Sequence, residues 1–429
     1  MRKQHTFTRR QMLGSGLAMV SAGGVSRVVA AESTPADTAC QFGQPLAQDH
    51  VIVAERPSPD LITDDPCLTK LPSGQILATW TFRGTRGAKK WGNAQRFQLA
   101  RSSDGGRTWN RLRPLEIVDG MPFVHEGKLY LIGNGLDMKN ILISQSKDEG
   151  NTWKPWSTLF EGTYWNAPTG IAIANGQIYR CMSSPTKEFI FGNTLVLAGN
   201  LAGDLLDRKS WRLSNPVPYP GTPSMLKRDK YPPGVIKSPG WTDHWLEPNM
   251  VHVRERLMAL VRVRIAQYAT TNLCGLCDLA DEGGELKLDF TQFWPLPGGQ
   301  SKFHIIHDNA SNLYWMTTNM ASDSQNSQGL AKKLWGMGWH SGLGNERRFL
   351  MLYYSIDALN WFPAGCLAMS TKPLQSFMYA CPLVDGEDLL VLSRTSQNGS
   401  NQHDADLITF HRLRNFRSLS MPLHPEIPA

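Results

Sequence analysis

Glu247 and Arg262 stand on the two arms of one short hairpin. Trp245-Leu246-Glu247-Pro248-Asn249-Met250 forms the first arm and Leu257-Met258-Ala259-Leu260-Val261-Arg262-Val263-Arg264 the second. A carboxylate and a guanidinium facing each other across a hairpin reach the same pocket, where the arginine can grip an anionic group with two N–H donors. The same carboxylate can instead pair with Arg264 as a structural ion pair. A second concentration is Glu346-Arg347-Arg348-Phe349, followed by Phe377-Met378-Tyr379-Ala380-Cys381-Pro382. Arg347 or Arg348 offers a further bidentate donor, and Tyr379 has packing as its simplest role. Asp64-Asp65 precedes Pro66 and either caps a turn or presents an acid. Arg83, Arg86, Lys89 and Lys90 form a cationic stretch, either a solvated loop or a seat for a carboxylate or sulfate. His244, His304 and His307 are ordinary packing or hydrogen-bonding histidines, or one of them is a base. A histidine near a tyrosine suits β-elimination beside a uronate carboxylate. Trp165, Trp91, Trp335 and Trp339 could stack on sugar rings.

These residues have to be carried by a chain of 429 residues that is 41% hydrophobic and 19% charged, with 38 Gly, 27 Pro and 14 Trp. That composition is globular rather than disordered. The net charge of +7 invites a nucleic-acid partner. Its placement removes the invitation. Five of the 44 basic residues (Arg2, Lys3, Arg9, Arg10, Arg27) lie in the first 31, which contain no acid, and the remainder holds 39 basic against 37 acidic side chains. Thr8-Arg9-Arg10-Gln11-Met12-Leu13, a Gly/Ala-rich apolar stretch and Val29-Ala30-Ala31 resemble a twin-arginine export signal. Residues 1–31 are therefore expected to be a signal peptide, and the mature protein periplasmic or extracellular, without stable membrane insertion. Cys274-x-x-Cys277 has no second such pair to complete a zinc site, so a buried thiol pair or an incidental disulfide is expected there. No phosphate loop, dinucleotide fingerprint, zinc-protease helix or Gly-x-Ser-x-Gly elbow is present, and no metal or cofactor is expected.

The elements come from a repeat. Asp65-Pro66-Cys67-Leu68 leads through Ser73-Gly74 to Gln75-Ile76-Leu77. The same extended–turn–extended pattern returns from Met121-Pro122, Ala167-Pro168, Glu247-Pro248, Phe303-His304 and Cys381-Pro382. Each is a hairpin with proline near a strand start, where its missing N–H costs least. Six copies predict six sheets of about four strands, an all-β, six-bladed propeller over residues 50–415. Residues 32–49 are then a linker or first strand, and 416–429 a C-terminal tail.

Between the hairpins runs a second repeat. Ser102-x-Asp104-x-Gly106-x-Thr108-Trp109 and Ser146-x-Asp148-x-Gly150-x-Thr152-Trp153 match throughout, and Ser355-x-Asp357-x-Leu359-Asn360-Trp361 is one residue shorter. These resemble the Asp box of the sialidase superfamily. The aspartates are expected to hold turns on the outer rim. The order of Glu247, Arg262, Arg347 or Arg348, and Tyr379 also resembles that superfamily. The resemblance implies Tyr379 as nucleophile, Glu247 as its base, and Arg262 with Arg347 or Arg348 as clamps on an acidic group. Tyrosine-nucleophile glycosidases are the exception to the two-carboxylate scheme.

Two positions depart from that pattern. Asp64 stands where the superfamily has its first clamp arginine, and the loop expected to hold the acid, from Arg83 to Asn93, has no carboxylate. Asp64 or Asp65 is then the acid candidate on the inner rim. Arg83, Arg394 and Trp245 complete the expected substrate-binding set. The function expected is an exported glycosidase removing a terminal anionic sugar from glycans. A lyase on uronate-containing polysaccharide and a non-catalytic glycan-binding propeller are the alternatives.

Overall fold

The computed structural model describes residues 43–84, 96–189, 191–224, 243–265, 271–322, 346–399 and 401–426. The signal-like N-terminus, the stretch with Arg86, Lys89, Lys90 and Trp91, and Trp335 and Trp339 lie outside the described residues.

The first strand, β1 (Val51–Glu55), belongs to the last sheet. Blade 1 is β2 (Leu61–Lys70), β3 (Ile76–Gly84), β4 (Arg96–Ser102) and β5 (Asn110–Arg111); blade 2 is β6 (Val118–His125), β7 (Lys128–Asn134), β8 (Lys139–Ser146) and β9 (Ser157–Thr163). Blade 3 is β10 (Ala172–Ala174), β11 (Gln177–Ser184), β12 (Asn193–Asn200) and β13 (Trp211–Leu213), with β14 (Val217–Pro218) also paired to β12. Blade 4 is β15 (His244–Val253), β16 (Arg256–Arg264), β17 (Leu273–Asp281) and β18 (Leu286–Pro295). Blade 5 is β19 (His304–Asp308), β20 (Leu313–Asn319), β21 (Phe349–Ser355) and β22 (Phe362–Met369). Blade 6 is β23 (Ser376–Asp385), β24 (Asp388–Ser396) and β25 (Leu407–Leu413), completed at its outer edge by β1. Every pairing is antiparallel, and β1 on β25 ties the start of the propeller to its end. The fold is thus all-β, a six-bladed propeller.

The core lies between blades. Trp80 and Phe410 share one apolar cluster of blades 1 and 6, and Tyr179 and Trp245 one of blades 3 and 4. Sheets packed face to face this way bury both faces of each blade, which removes alternation from the inner strands. The same layering separates Cys274 from Cys277. Cys277 faces the cluster toward blade 3 and Cys274 the cluster toward blade 5, so the expected thiol pair is not formed. Trp245 does not take the substrate-binding place expected of it. Its indole is wholly buried and donates its N–H to the Gly192 carbonyl at 2.8 Å, so it packs the blade and touches no ligand space. The C-terminal segment packs as well, with Phe416 buried edge-on against Trp315.

The Ser-x-Asp-x-Gly turns sit between β4 and β5 and between β8 and β9. Asp104 accepts from the Thr108 amide at 2.9 Å, the Thr108 hydroxyl at 2.6 Å and the Ser102 hydroxyl at 2.8 Å. These donors, the Thr108 hydroxyl first, hold its carboxyl down at about 2. Asp148 repeats the pattern on Thr152 and Ser146. In the shorter third turn Asp357 accepts from the Leu359 and Asn360 amides. Gly106 has φ +92°, and a Cβ there would lie 2.2 Å from the Phe410 ring. Gly106→Ala is expected to cost about 2–4 kcal/mol through backbone strain and the clash, read as a lower urea midpoint.

Four inner strands share one irregularity. In β2 the register runs from Asp64 opposite Thr81 to Cys67 opposite Thr79, so two residues oppose one. The same bulge occurs after Val118 in β6, after Leu246 in β15 and after Met378 in β23. The first bulged residue is left-handed in each: Asp65 (φ 47°), Asp119 (φ 52°), Glu247 (φ 54°) and Tyr379 (φ 52°). Left-handed backbone is unfavourable for side chains of this size, by about 1–3 kcal/mol each, and bulges re-aim the residue they carry. The repeat therefore aligns Asp119-Gly120 and Tyr379-Ala380 with Asp65-Pro66 and Glu247-Pro248. Pro122 and Pro382, matched to Pro66 in the sequence repeat, lie two residues further on.

Candidate active site

Three of the bulged residues, Asp65, Glu247 and Tyr379, line a cleft of about 450 Å³ at the ends of the inner strands. Arg83, Arg262, Arg264 and Arg347 supply its cations, with Asp64 beside them. Ile62, Leu246, Trp165, Phe189 and Phe191 form an apolar wall, in which the Trp165 and Phe191 rings pack at 4.4 Å. One polar and one apolar side is the usual make-up of a ligand cleft.

The centre is a three-residue contact. The Tyr379 hydroxyl donates to Glu247 Oε1 at 2.6 Å. Arg262 Nη1 donates to Glu247 Oε2 at 2.5 Å and to the Tyr379 oxygen at 3.2 Å, while its Nε holds the Gln300 carbonyl at 2.9 Å. Glu247 pairs with Arg262 rather than Arg264. Burial, and then the Glu247 charge, push the Tyr379 phenol above its ordinary value, against the pull of Arg262, Arg347 and Arg394. The phenol is neutral at neutral pH and aimed at a carboxylate that can take its proton.

Arg394 holds the same register position in blade 6, opposite Met378, as Arg262 holds in blade 4, opposite Leu246. Its role differs from that expected. It is sealed from solvent, forms an ion pair with Asp64, donates to the His403 carbonyl, and lies 5.1 Å from the Tyr379 ring centre without lining the cleft. Asp64 is bridged by Arg394 and Arg83, so it is committed as a counter-ion and is not a proton donor. Of the two neighbouring arginines, Arg347 faces the cleft, 5.4 Å from the Tyr379 ring centre, and Arg348 does not. Arg348 is drawn to Glu346 and Ser322 and covers Phe349. Burial, and the nearby charges of Arg262 and Arg394, lower Arg347 to about 10.

Asp65 meets a partner that inspection of the sequence missed. Its carboxyl is hydrogen-bonded to that of Asp119, the bulged residue of the adjacent blade. Burial, then the charges of Asp64 and Asp119, raise Asp65 well above a normal carboxyl. Asp119 is raised to about 6, mainly by burial. Two carboxyls in one dry site hold a proton between them, so Asp65 is a protonated acid facing the cleft. The signal was present as Val118-Asp119-Gly120-Met121, hidden by aligning prolines instead of bulges. Because Asp119 titrates above its unfolded value, the folded chain binds the more protons between roughly pH 4 and pH 6, and stability falls as pH rises through that window. Asp119→Asn is expected to lessen that fall, and the part that remains belongs to Asp65, which burial also raises. Unfolding free energies from urea titrations across the window should then show the variant gaining on the wild type by on the order of 2 kcal/mol at pH 7.

His403 and Asp404 were also missed. Both line the cleft, with His403 Nδ1 2.7 Å from Asp404 Oδ1, in a polar loop that further holds the Arg347 amide through Gln402 at 2.8 Å. The histidines singled out in the sequence lie elsewhere. His244 packs on Phe189 at 4.1 Å, His304 is buried below the cleft, and His307 bonds Asn309 and Asn312. Among the described residues no group of three or more His, Cys, Asp and Glu is arranged for a metal. No helix among them is long and apolar enough to cross a membrane.

The propeller with this cleft is of the sialidase-like fold class. Its solved neighbours include the Trypanosoma rangeli sialidase in complex with sialic acid, at TM-score 0.56 and 12% identity, covering 88% of this chain and 60% of that one. Streptococcus pneumoniae NanB sialidase (K499G mutant) aligns at TM-score 0.53 and 10% identity, over 87% and 71% of the two chains. A Dyadobacter fermentans protein of unknown function aligns at TM-score 0.53 and 12% identity, over 86% of this chain and all of that one. At these identities the likeness is one of fold. No protein-family model and no curated protein matches the sequence.

Proposed function

We propose that this chain is an exported, exo-acting glycoside hydrolase of the sialidase superfamily that removes a terminal anionic sugar from extracellular glycans. The observation that carries the reading is the Tyr379–Glu247–Arg262 contact, a phenol hydrogen-bonded at 2.6 Å to a carboxylate whose charge an arginine holds. Tyr379 Oη attacks the anomeric carbon as Glu247 Oε1 takes its proton, and the glycosidic oxygen leaves with the proton of Asp65. Water then displaces Tyr379 from the sugar, with the Asp65 carboxylate as base and Glu247 returning the phenol proton. Arg262 and Arg347 line the cleft beside the phenol, and an acidic group on the sugar is met there by their guanidiniums. Export rests on the twin-arginine-like N-terminus.

A second reading, β-elimination on a uronate, is favoured by one observation: the His403–Asp404 pair sits in the cleft with Tyr379. Incubation with a panel of sialylated, uronate-bearing and sulfated glycans, read by mass and ultraviolet absorbance, separates the two. Hydrolysis adds one water per bond cleaved. Elimination leaves an absorbing C=C product of unchanged total mass. Binding without turnover defeats both.

A further inference from the structure

Below Tyr379 lies a buried cluster that neither reaction uses: Cys67, Cys381, Lys302 and His304. Cys67 is two residues past Asp65 on β2, and Cys381 two residues past Tyr379 on β23. The matching bulges bring these strands into equivalent register, and the two sulfurs lie 3.7 Å apart. The residues are 1% and 2% exposed. Among the described residues they are the thiols in contact. The Leu68 amide donates to Cys381 Sγ at 3.4 Å, a bond that favours a thiolate there. The thiol contact with Cys67 does most to hold Cys381 below the ordinary thiol range, and the positive charge of Lys302, whose Nζ has no hydrogen-bond partner among the described residues, adds to it. Cys181, Cys274 and Cys277 are instead pushed up by burial and stay protonated.

The pair spans the seam where the ring closes. β1 on β25 joins the outer edge of blade 6 by backbone hydrogen bonds. The inner edge relies on scattered polar contacts, such as Thr63 N–H to the Ala405 carbonyl at 3.1 Å and its hydroxyl to the Leu407 carbonyl at 2.9 Å. We propose that Cys67 and Cys381 form a disulfide that closes the propeller covalently between blades 1 and 6. The sulfurs need to approach by roughly 1.7 Å to reach bonding distance. The oxidant is a hydroperoxide, small enough to enter from the cleft above. The Cys381 thiolate attacks a peroxide oxygen, the S–O bond forms, the O–O bond breaks and hydroxide leaves. The Cys67 sulfur, losing its proton, then attacks the Cys381 sulfur, the S–S bond forms and a second hydroxide leaves. Two thiols give up two electrons, and hydrogen peroxide becomes two waters.

The test is peptide mapping of the full-length protein, unfolded in N-ethylmaleimide without reductant. It is run as purified and again after reduction, removal of the reductant and addition of excess hydrogen peroxide. The expected result after peroxide is a linked Cys67–Cys381 peptide two hydrogens lighter than its parts, absent in Cys67→Ser, with a melting temperature several degrees above that of the reduced protein. Maleimide on both cysteines after peroxide, a sulfinic Cys381 without linkage, or Cys381 linked to another cysteine overturns the proposal. None of these outcomes depends on the chemistry at Tyr379.

Discussion

Tyr379→Phe lowers glycan turnover by on the order of 10³-fold or more and leaves the fold intact. The substitution deletes one oxygen, the one within 2.6 Å of Glu247 and 3.2 Å of Arg262, and keeps the ring that packs between the cations. Glu247 retains its bond to Arg262 through Oε2, so no buried charge is stranded and the urea midpoint stays close to wild type. Glu247→Gln tests the other half of the pair. Its amide can still hydrogen-bond the phenol but cannot accept its proton, so turnover falls by about 10²–10⁴-fold. Initial rates on the substrate found in the glycan panel, with circular dichroism as the folding control, measure both. Full activity of Tyr379→Phe would place the nucleophile elsewhere.

Arg262→Ala is the most destabilising single substitution expected at the site, at about 3–5 kcal/mol, because it leaves Glu247 charged in a dry environment. The Glu247 and Arg262 side chains are each 1% exposed. A comparison on the same strand shows that burial decides the magnitude. Arg256 holds Asp278 at 2.8 Å, but the two are 53% and 43% exposed, and Arg256→Ala should cost no more than about 1 kcal/mol. Urea unfolding of Arg262→Ala, Arg256→Ala and Glu247→Gln, and of Arg262→Ala combined with Glu247→Gln, measures this. The double variant should be less destabilised than the sum of the singles, since neutralising the stranded carboxylate removes most of the penalty. Equal losses for Arg262→Ala and Arg256→Ala would contradict this account of the site.

The two predictions draw on residues that were legible to different degrees. Glu247 and Arg262 could be paired from the chain because they flank one hairpin, and a hairpin's register is local. Tyr379 was recognisable by its order relative to Arg347, Arg348 and the Ser355-x-Asp357 turn. The choice between Arg347 and Arg348 was not. Adjacent residues point to opposite sides, and Glu346 with Ser322 claims Arg348. Trp245 was expected in the substrate-binding set beside Glu247. Regular alternation would put residues 245 and 247 on one side, but the bulge at Glu247 re-aims its carboxylate into the cleft and leaves Trp245 in the space between blades 3 and 4. Arg394 and Asp64 each carried a plausible role alone. Together they neutralise one another across the seam of blades 6 and 1, 330 residues apart in sequence, which no local pattern reports.

By itself the sequence determined the propeller. Its six hairpins and the repeated Ser-x-Asp-x-Gly turns are local features, set by strand propensity, turn chemistry and the burial of one tryptophan per turn. It also placed five of the seven net positive charges in the first 31 residues. Tertiary structure alone decided which acids and cations share the cleft. Ring closure brings four bulged residues from different blades to one axis, and there burial and mutual charge set their protonation. Asp65 and Asp119 become a proton-holding pair, and Asp64 becomes a counter-ion, only because blades 1, 2 and 6 meet.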